Sequence, residues 1–339
     1  MTGSPRVVSA SRRTDIPAFY SDWFVRRLRE GYCHWMNPFG GQVYRVSLRA
    51  EDCLALILWT RNVRPLLPHL EELTAGGHRF YFHYTVNGYP REVDPHAPPL
   101  GAAAVAFRGL AEAVSPERVM WRYDPVVFGS TMLTDYHVER FDTISAQLAG
   151  LTTRCYLSFV DMYGKTQRNV DRANNALDLG LRRPSAAEQR DLLAKLAPIA
   201  AKRGLTLHAC CDAPSPDLGV RRARCIDPEV IDRLGTMPHA PLKAAPTRTG
   251  CGCVEAVDIG AYDTCVFGCV YCYATNSREA AIGRRSRHDP ADSILWRPQS
   301  LQGVDLAEVE YVPRQTKRPR RAPPLPPQLF DDPSTGAGS

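Results

Sequence analysis

Short, almost continuously apolar runs recur along the chain, separated by stretches whose apolar residues return every three or four positions. The runs are "RVVSAS" (6–11), "LALILWT" (54–60), "RFYFHYTV" (79–86), "RVMWRYDP" (118–125), "RCYLSFVD" (154–161) and "LTLHACC" (205–211). Strands buried on both faces read this way, which predicts a parallel sheet covered by helices. "QVYRVSL" (42–48) and "AVDIGAY" (256–262) complete the expected strand set. Between them, "TDYHVERFDTISAQL" puts Val138, Phe141, Ile144 and Leu148 on one helical face. "SAAEQRDLLAKLAPIAAKRG" opens with Ser185 and has Glu188 three residues later, a capping-box signature, and closes at Gly204. "YSDWFVRRLREG" places Phe24 and Leu28 on one side and stops at Gly31. Strand–helix alternation over about 260 residues predicts an α/β fold, a (β/α) barrel, complete or partial. A doubly wound open sheet is the alternative.

Several predicted strands end in polar groups. Arg12, Arg13 and Asp15 follow the first, and Thr60, Arg61 and Asn62 close another. Arg122, Tyr123 and Asp124 end a third, and Ser158, Asp161 and Lys165 follow a fourth. In a parallel barrel these ends meet at one mouth, so Asp15, Arg122, Asp124 and Asp161 are candidate substrate contacts. Taken singly, each is also an ordinary strand-to-helix cap.

Composition narrows the class. A chain of 339 residues has room for one large domain, expected over 1–312. The last segment, 313–339, is rich in Pro and basic residues and reads as a disordered tail. The net charge is +6, but "RQTKRPRR" (314–321) carries five of those charges, leaving about +1 elsewhere. The basic tail is therefore the main argument for a nucleic-acid partner. No membrane-spanning run and no signal-peptide h-region occur, so a cytoplasmic protein is expected. No internal repeat is visible.

Eleven cysteines are too many for packing alone, and a reducing compartment disfavours disulfides. Cys33, Cys53 and Cys155 stand among apolar neighbours and read as core. The other eight fall within 210–272, a crowding that points to metal. Cys265, Cys269 and Cys272 have C-x₃-C-x₂-C spacing, with Gly268 allowing a tight turn and Tyr271 beside the last cysteine. Three closely spaced thiolates suit three corners of a 4Fe–4S cluster and leave one iron open, whereas zinc prefers four ligands from C-x₂-C pairs. Cys210, Cys225, Cys251 and Cys253 are candidates for a second iron–sulfur cluster or a structural zinc, with Cys211 to spare. Scattered free thiols are the alternative. His83, His137, His208 and His239 receive no role, although His208 stands close to Cys210.

The C-x₃-C-x₂-C triplet with its aromatic resembles the motif of the radical S-adenosylmethionine superfamily. The resemblance implies that Cys265, Cys269 and Cys272 hold a 4Fe–4S cluster whose open iron binds S-adenosyl-L-methionine. One electron, from a donor such as flavodoxin or ferredoxin, would then yield a 5′-deoxyadenosyl radical that acts on an unknown small-molecule substrate. Tyr271 would lie near the adenine, and Gly268 would shape the cofactor loop. No glycine-rich segment of the kind that holds the methionine amino group is evident. "SASRRTDIPAFYSDWF", "WTRN", "WRYDP", "SFVDMYGKTQRN" and "GCGCVEAVDIGAYDTC" are similar to domain-of-unknown-function family 1848 over about residues 6–280. That family has a C-terminal cysteine cluster and no reaction to carry over. A more distant likeness to spore photoproduct lyase implies nucleic-acid repair as an alternative. A non-catalytic iron–sulfur or zinc protein is a third reading.

In the radical superfamily the motif follows the first barrel strand, but here it comes late. A closed barrel has no first strand in space. "AVDIGAY" is therefore expected to be a circularly permuted first strand, adjacent and parallel to "RVVSAS".

Overall fold

The structure is a computed structural model that describes residues 5–211, 215–235, 237, 239–307 and 309. The expected tail, 313–339, lies outside the described residues. The apolar runs form an eight-stranded, wholly parallel sheet. Its strands are β1 (Arg6–Ala10), β4 (Cys53–Thr60), β5 (Phe80–Thr85), β6 (Val119–Val126), β7 (Arg154–Phe159), β8 (Thr206–Ala209), β9 (Arg221–Arg222) and β10 (Val257–Asp258). The hydrogen-bonded order is β10-β1-β4-β5-β6-β7-β8-β9. β10 pairs parallel with β1, Val8 opposite Val257 and Ser9 opposite Asp258, which is the adjacency expected from the sequence.

Helices cover one face. α2 (Ser21–Glu30) contributes Trp23, Phe24 and Leu28, and α4 (Leu100–Val114) contributes Phe107 and Leu110. α5 (Thr134–Gln147) adds Phe141 and Ile144, and α7 (Ala186–Lys202) adds Leu192 and Leu196. They pack on the alternate strand residues Leu56, Leu58, Phe80, Phe82, Trp121 and Leu157. The opposite face carries Val7, Ile57, Tyr81, Met120 and Tyr156, and residues between 223 and 254 cover it. That cover includes Cys225, Ile226, Cys253, Val254 and α8 (Pro228–Arg233). With both faces buried, the strands read as unbroken apolar runs. The capping box of α7 is present, the Glu188 amide donating to the Ser185 hydroxyl oxygen and the Ser185 amide to the Glu188 carboxylate. The remaining helices are α1 (Ile16–Phe19), α3 (Leu70–Ala75), α6 (Gly164–Leu177) and α9 (Arg278–Arg285).

Two expectations need adjusting. The segment read at 42–48 is not in the parallel sheet. It is β3 (Val43–Ser47), which pairs antiparallel with β2 (Tyr32–Met36) in a separate hairpin. Its sequence alternates Val, Tyr, Arg, Val, Ser rather than running apolar, as suits a strand with one wet face. β10 is only two residues long because the chain leaves the sheet just after Asp258. Among the described residues, no helix is long and apolar enough to cross a membrane.

Candidate functional site

Parallel strands deliver their following loops to one edge of the sheet. At that edge Asp258 fastens β10 to β1. Ser9 Oγ donates to Oδ2 at 2.9 Å and Ser11 Oγ to Oδ1 at 2.6 Å. The amides of Arg12 and Gly260 donate at 2.8 and 3.0 Å. The guanidinium groups of Arg12 and Arg13 stand at 3.8 and 4.0 Å. Gly260 has to be glycine, because a Cβ there would fall 1.9 Å from Ser11 Oγ. Sequence reasoning missed Asp258; an acidic residue inside an otherwise apolar strand was the signal.

The motif loop follows. Asp263 braces its two ends, accepting from the Asn276 amide at 2.6 Å and from Asn276 Nδ2 at 2.9 Å. Gly268, at φ +72, makes the turn between Cys265 and Cys269, and a Cβ there would meet Arg278 Cδ at 2.9 Å. The loop thus carries its cysteines into the region beyond β1 and β4. Burial pushes the Cys265 thiol up to about 12, with Cys272 and Asp15 adding to it. Burial also drives Cys269 well up, while the Arg61 guanidinium opposes. Bare, these two thiols are protonated at neutral pH, and a bound metal would reverse that. The Ala274 amide donates to Cys272 Sγ at 3.4 Å.

Tyr271 is buried, and its hydroxyl is fully engaged. It donates to Asp94, whose two oxygens lie at 2.7 and 2.8 Å, and accepts from Arg61 and from Asn87 Nδ2. Arg61 Nη1 also donates to Asp94 at 2.7 Å. Asp94 and its neighbours tie the cysteine loop to the ends of β4 and β5. Behind them lies a cavity of about 250 Å³ bordered by Arg61, Asn87, Tyr89, Arg91, Asp94 and Arg140. Neither Arg61 nor Asp94 stood among the candidate site residues, although Arg61 had been noted at a strand end.

The four candidate substrate contacts divide between two places. Asp15 lies under the motif loop. It caps α1 by accepting from the Ala18 amide at 2.9 Å and also accepts from the Arg61 amide at 2.7 Å. Burial pushes its carboxyl up to about 7 against those hydrogen bonds. The unfolded value is about 3.9, so the folded chain holds this proton more tightly. The stability it contributes is therefore full below about pH 4 and lost as pH rises through about 7. Urea midpoints of the metal-free chain should fall between about pH 5 and about pH 8, and a flat profile would contradict the burial assigned to Asp15.

Arg122 and Asp124 lie near the end of β6, and Asp161 follows β7, the neighbouring strand. Arg122 is ion-paired to Asp124, and Ser158 Oγ donates to Asp124 as well. Asp161 is held by Arg183 and Arg248. Arg122 Nη1 points at Cys225 Sγ, 3.1 Å away.

Cys225 belongs to a second thiol group. Cys210 Sγ lies 3.7 Å from Cys211 Sγ and 4.0 Å from Cys225 Sγ. Cys253 lies beside this pair, the Ile226 amide donating to its sulfur at 3.5 Å, and Cys251 stands two residues before it in the same turn. All four expected members therefore meet, and Cys211, set aside in the sequence reading, completes a ring of five. Among the described residues, no three His, Cys, Asp or Glu side chains are already gathered about one point as a metal site. Arg12 spans the two groups: it lies close enough to Tyr273 of the motif loop and to Cys225 and Cys253 to feel all three, and its carbonyl accepts from Tyr273 at 2.5 Å.

Three of the four histidines stay in the core. His83 lies between Trp59 and Tyr156 and contacts the Cys225 carbonyl at 2.7 Å, and burial lowers it to about 4. His208 stacks on Tyr156 instead of joining Cys210, and His137 contacts Tyr123 and Val127. His239 lies against Asp232. Cys33, Cys53 and Cys155 are buried as expected.

The family model described as "Domain of unknown function (DUF1848)" matches residues 7–274. No curated protein matches. Among solved structures, L-hydantoinase (dihydropyrimidinase) from Arthrobacter aurescens is 11% identical with a TM-score of 0.28, covering 63% of this chain and 43% of its own. A structure of the pneumococcal virulence factor StrH is 13% identical with a TM-score of 0.26, covering 69% of this chain and 63% of its own. The chain thus spans less than two thirds of either protein, and likeness at this level carries no argument about function.

Proposed function

The chain belongs to the DUF1848 family, and for this member we propose a radical S-adenosylmethionine enzyme on a circularly permuted, partial (β/α) barrel. The observation that supports it most is the place of the C-x₃-C-x₂-C loop. It leaves the sheet edge directly after a strand paired parallel with β1, and it is packed against the residues that end β1 and β4.

The donor set suits the cluster. Three soft thiols, a glycine turn and an amide donor to Cys272 are what three corners of a 4Fe–4S cluster need. Cys265, Cys269 and Cys272 would hold it. When bound, it would supply the electron that cleaves S-adenosylmethionine to methionine and a carbon-centred radical. The protein's own work is positioning and insulation. Arg61, buried beside Cys269, supplies positive charge next to a centre that becomes anionic on loading. Its bonds to Asp94 and Tyr271 fix it there, so Tyr271 acts through its hydroxyl as a brace for the loop. Arg12, Arg13 and Lys165 bring positive charge to the open side of the loop. Lys165 Nζ stands 4.7 Å and the Arg13 guanidinium 5.3 Å from the Tyr262 ring. Asp124 and Asp161, each paired to arginine, would orient a polar substrate opposite the loop. A small flavodoxin or ferredoxin would serve as electron donor in a cytoplasmic setting.

The test is anaerobic reconstitution with iron and sulfide, reduction with dithionite, and addition of S-adenosylmethionine. The expected products are methionine and 5′-deoxyadenosine, at about one equivalent per chain or more. A fully loaded protein that makes neither overturns the proposal.

A further inference from the structure

The ring of five cysteines lies across the mouth from the motif loop and takes no part in the chemistry proposed above. We propose that it is a separate centre for one tetrahedral, thiophilic dication of the zinc class. Buried Cys210, Cys225 and Cys253 would be its fixed ligands, and the rim pair Cys211 and Cys251 would supply the fourth.

Spacing is the first argument. Around a tetrahedral ion with metal–sulfur bonds of about 2.3 Å, sulfurs stand about 3.8 Å apart. Cys210 Sγ already stands at that spacing from two neighbours, 3.7 Å from Cys211 Sγ and 4.0 Å from Cys225 Sγ. The irons of a 4Fe–4S cube hold their thiolates farther apart, so the ring suits a single ion.

The backbone is the second argument. Adjacent residues leaving a strand point to opposite faces, which would separate Cys210 from Cys211. Cys211 instead has φ +67, a region non-glycine residues seldom occupy. That turn brings both sulfurs to the same side. The neighbouring loop also depends on close approach. Gly250, at φ +76, lies against the Cys211 carbonyl, where a Cβ would come within 2.5 Å of the oxygen. Only glycine lets the Cys251–Cys253 turn sit there.

Charge is the third. Four thiols binding a dication release four protons and leave a centre of net charge −2. Two guanidinium groups already face the sulfurs: Arg122 Nη1 is 3.1 Å from Cys225 and Arg248 Nε is 2.8 Å from Cys211. The Ile226 amide donates to Cys253 at 3.5 Å and the Thr247 hydroxyl to Cys251 at 3.6 Å. Such N–H and O–H donors are the outer partners that anionic sulfur ligands need. Binding would draw the ring inward and staple β8 to the segment that covers the sheet face opposite the helices.

The full chain carrying Cys265→Ala, Cys269→Ala and Cys272→Ala removes the motif loop from the measurement, so failure here is distinct from failure of the radical reading. Titrated anaerobically with Co²⁺ and then Zn²⁺, it should bind about one ion per chain, with the visible absorption of tetrahedral cobalt thiolate displaced by zinc. Adding Cys225→Ser should cut loading at least about tenfold. Cys211→Ser or Cys251→Ser alone should keep about one ion, and the pair together should lose it. As a control independent of these added substitutions, Zn²⁺ should protect about four thiols from alkylation in the folded chain with the ring intact. Failure to bind Co²⁺ or Zn²⁺, or uptake of a four-iron cluster by the ring in their place, overturns the proposal.

Discussion

Cys269→Ala should abolish formation of 5′-deoxyadenosine while leaving the fold intact. Cys269 feels the charge of Arg61 and Asp94, and its loss removes one corner of the cluster. Two remaining thiolates cannot hold a cube at three corners, so iron and sulfide content should fall by about half or more, and turnover by at least about a hundredfold. The thiol is small and only half-buried, so truncation to alanine should cost stability only about 1–2 kcal/mol. Circular dichroism and iron analysis on the same sample separate the two effects. Normal turnover in the variant would show that the motif loop is not the reacting centre.

Asp258→Ala should be the most destabilising single change at the site, at about 3–5 kcal/mol. It would leave two hydroxyls and two backbone amides without their acceptor, and two arginines without their counter-charge. Those donors lie on β1 and the turn after β10, so the parallel pairing that places the motif loop should loosen with them. A urea-midpoint shift is the readout, with reduced iron loading as its companion. Asp258→Asn keeps the shape and one acceptor and should lose about half as much. A shift below about 1 kcal/mol for the alanine variant would mean that β10 is held elsewhere.

The sheet was legible because it is buried on both faces. β4, β5 and β7 have apolar residues on the helix side and on the cysteine side, which leaves an unbroken run in sequence. α7 was legible from its capping box. α4 and α6 were not singled out: in "LGAAAVAFRGLAEAV" alanine on every side blurs the stripe, and α6 buries only Thr166 and Val170. The parallel pairing of β10 with β1 was expected from the late position of the motif in the chain.

Within the site, short-range spacing identified the motif loop, but the second thiol group depended on distant contacts. Cys210, Cys225 and Cys253 are brought together by the segment that covers the sheet face opposite the helices. Cys211 joins them only because its backbone takes a conformation that strand alternation does not foretell. Asp94 comes from a loop with no motif of its own, and only the fold shows that it anchors Tyr271 and Arg61.

On the proposed function, a cluster held by Cys265, Cys269 and Cys272 leaves one iron free for S-adenosylmethionine. Electron paramagnetic resonance of the reduced, reconstituted chain tests it most directly, recorded with and without S-adenosylmethionine. The account predicts a four-iron signal whose g-values shift on addition, and no such signal once Cys269 is alanine. An unchanged spectrum from fully loaded protein would contradict it.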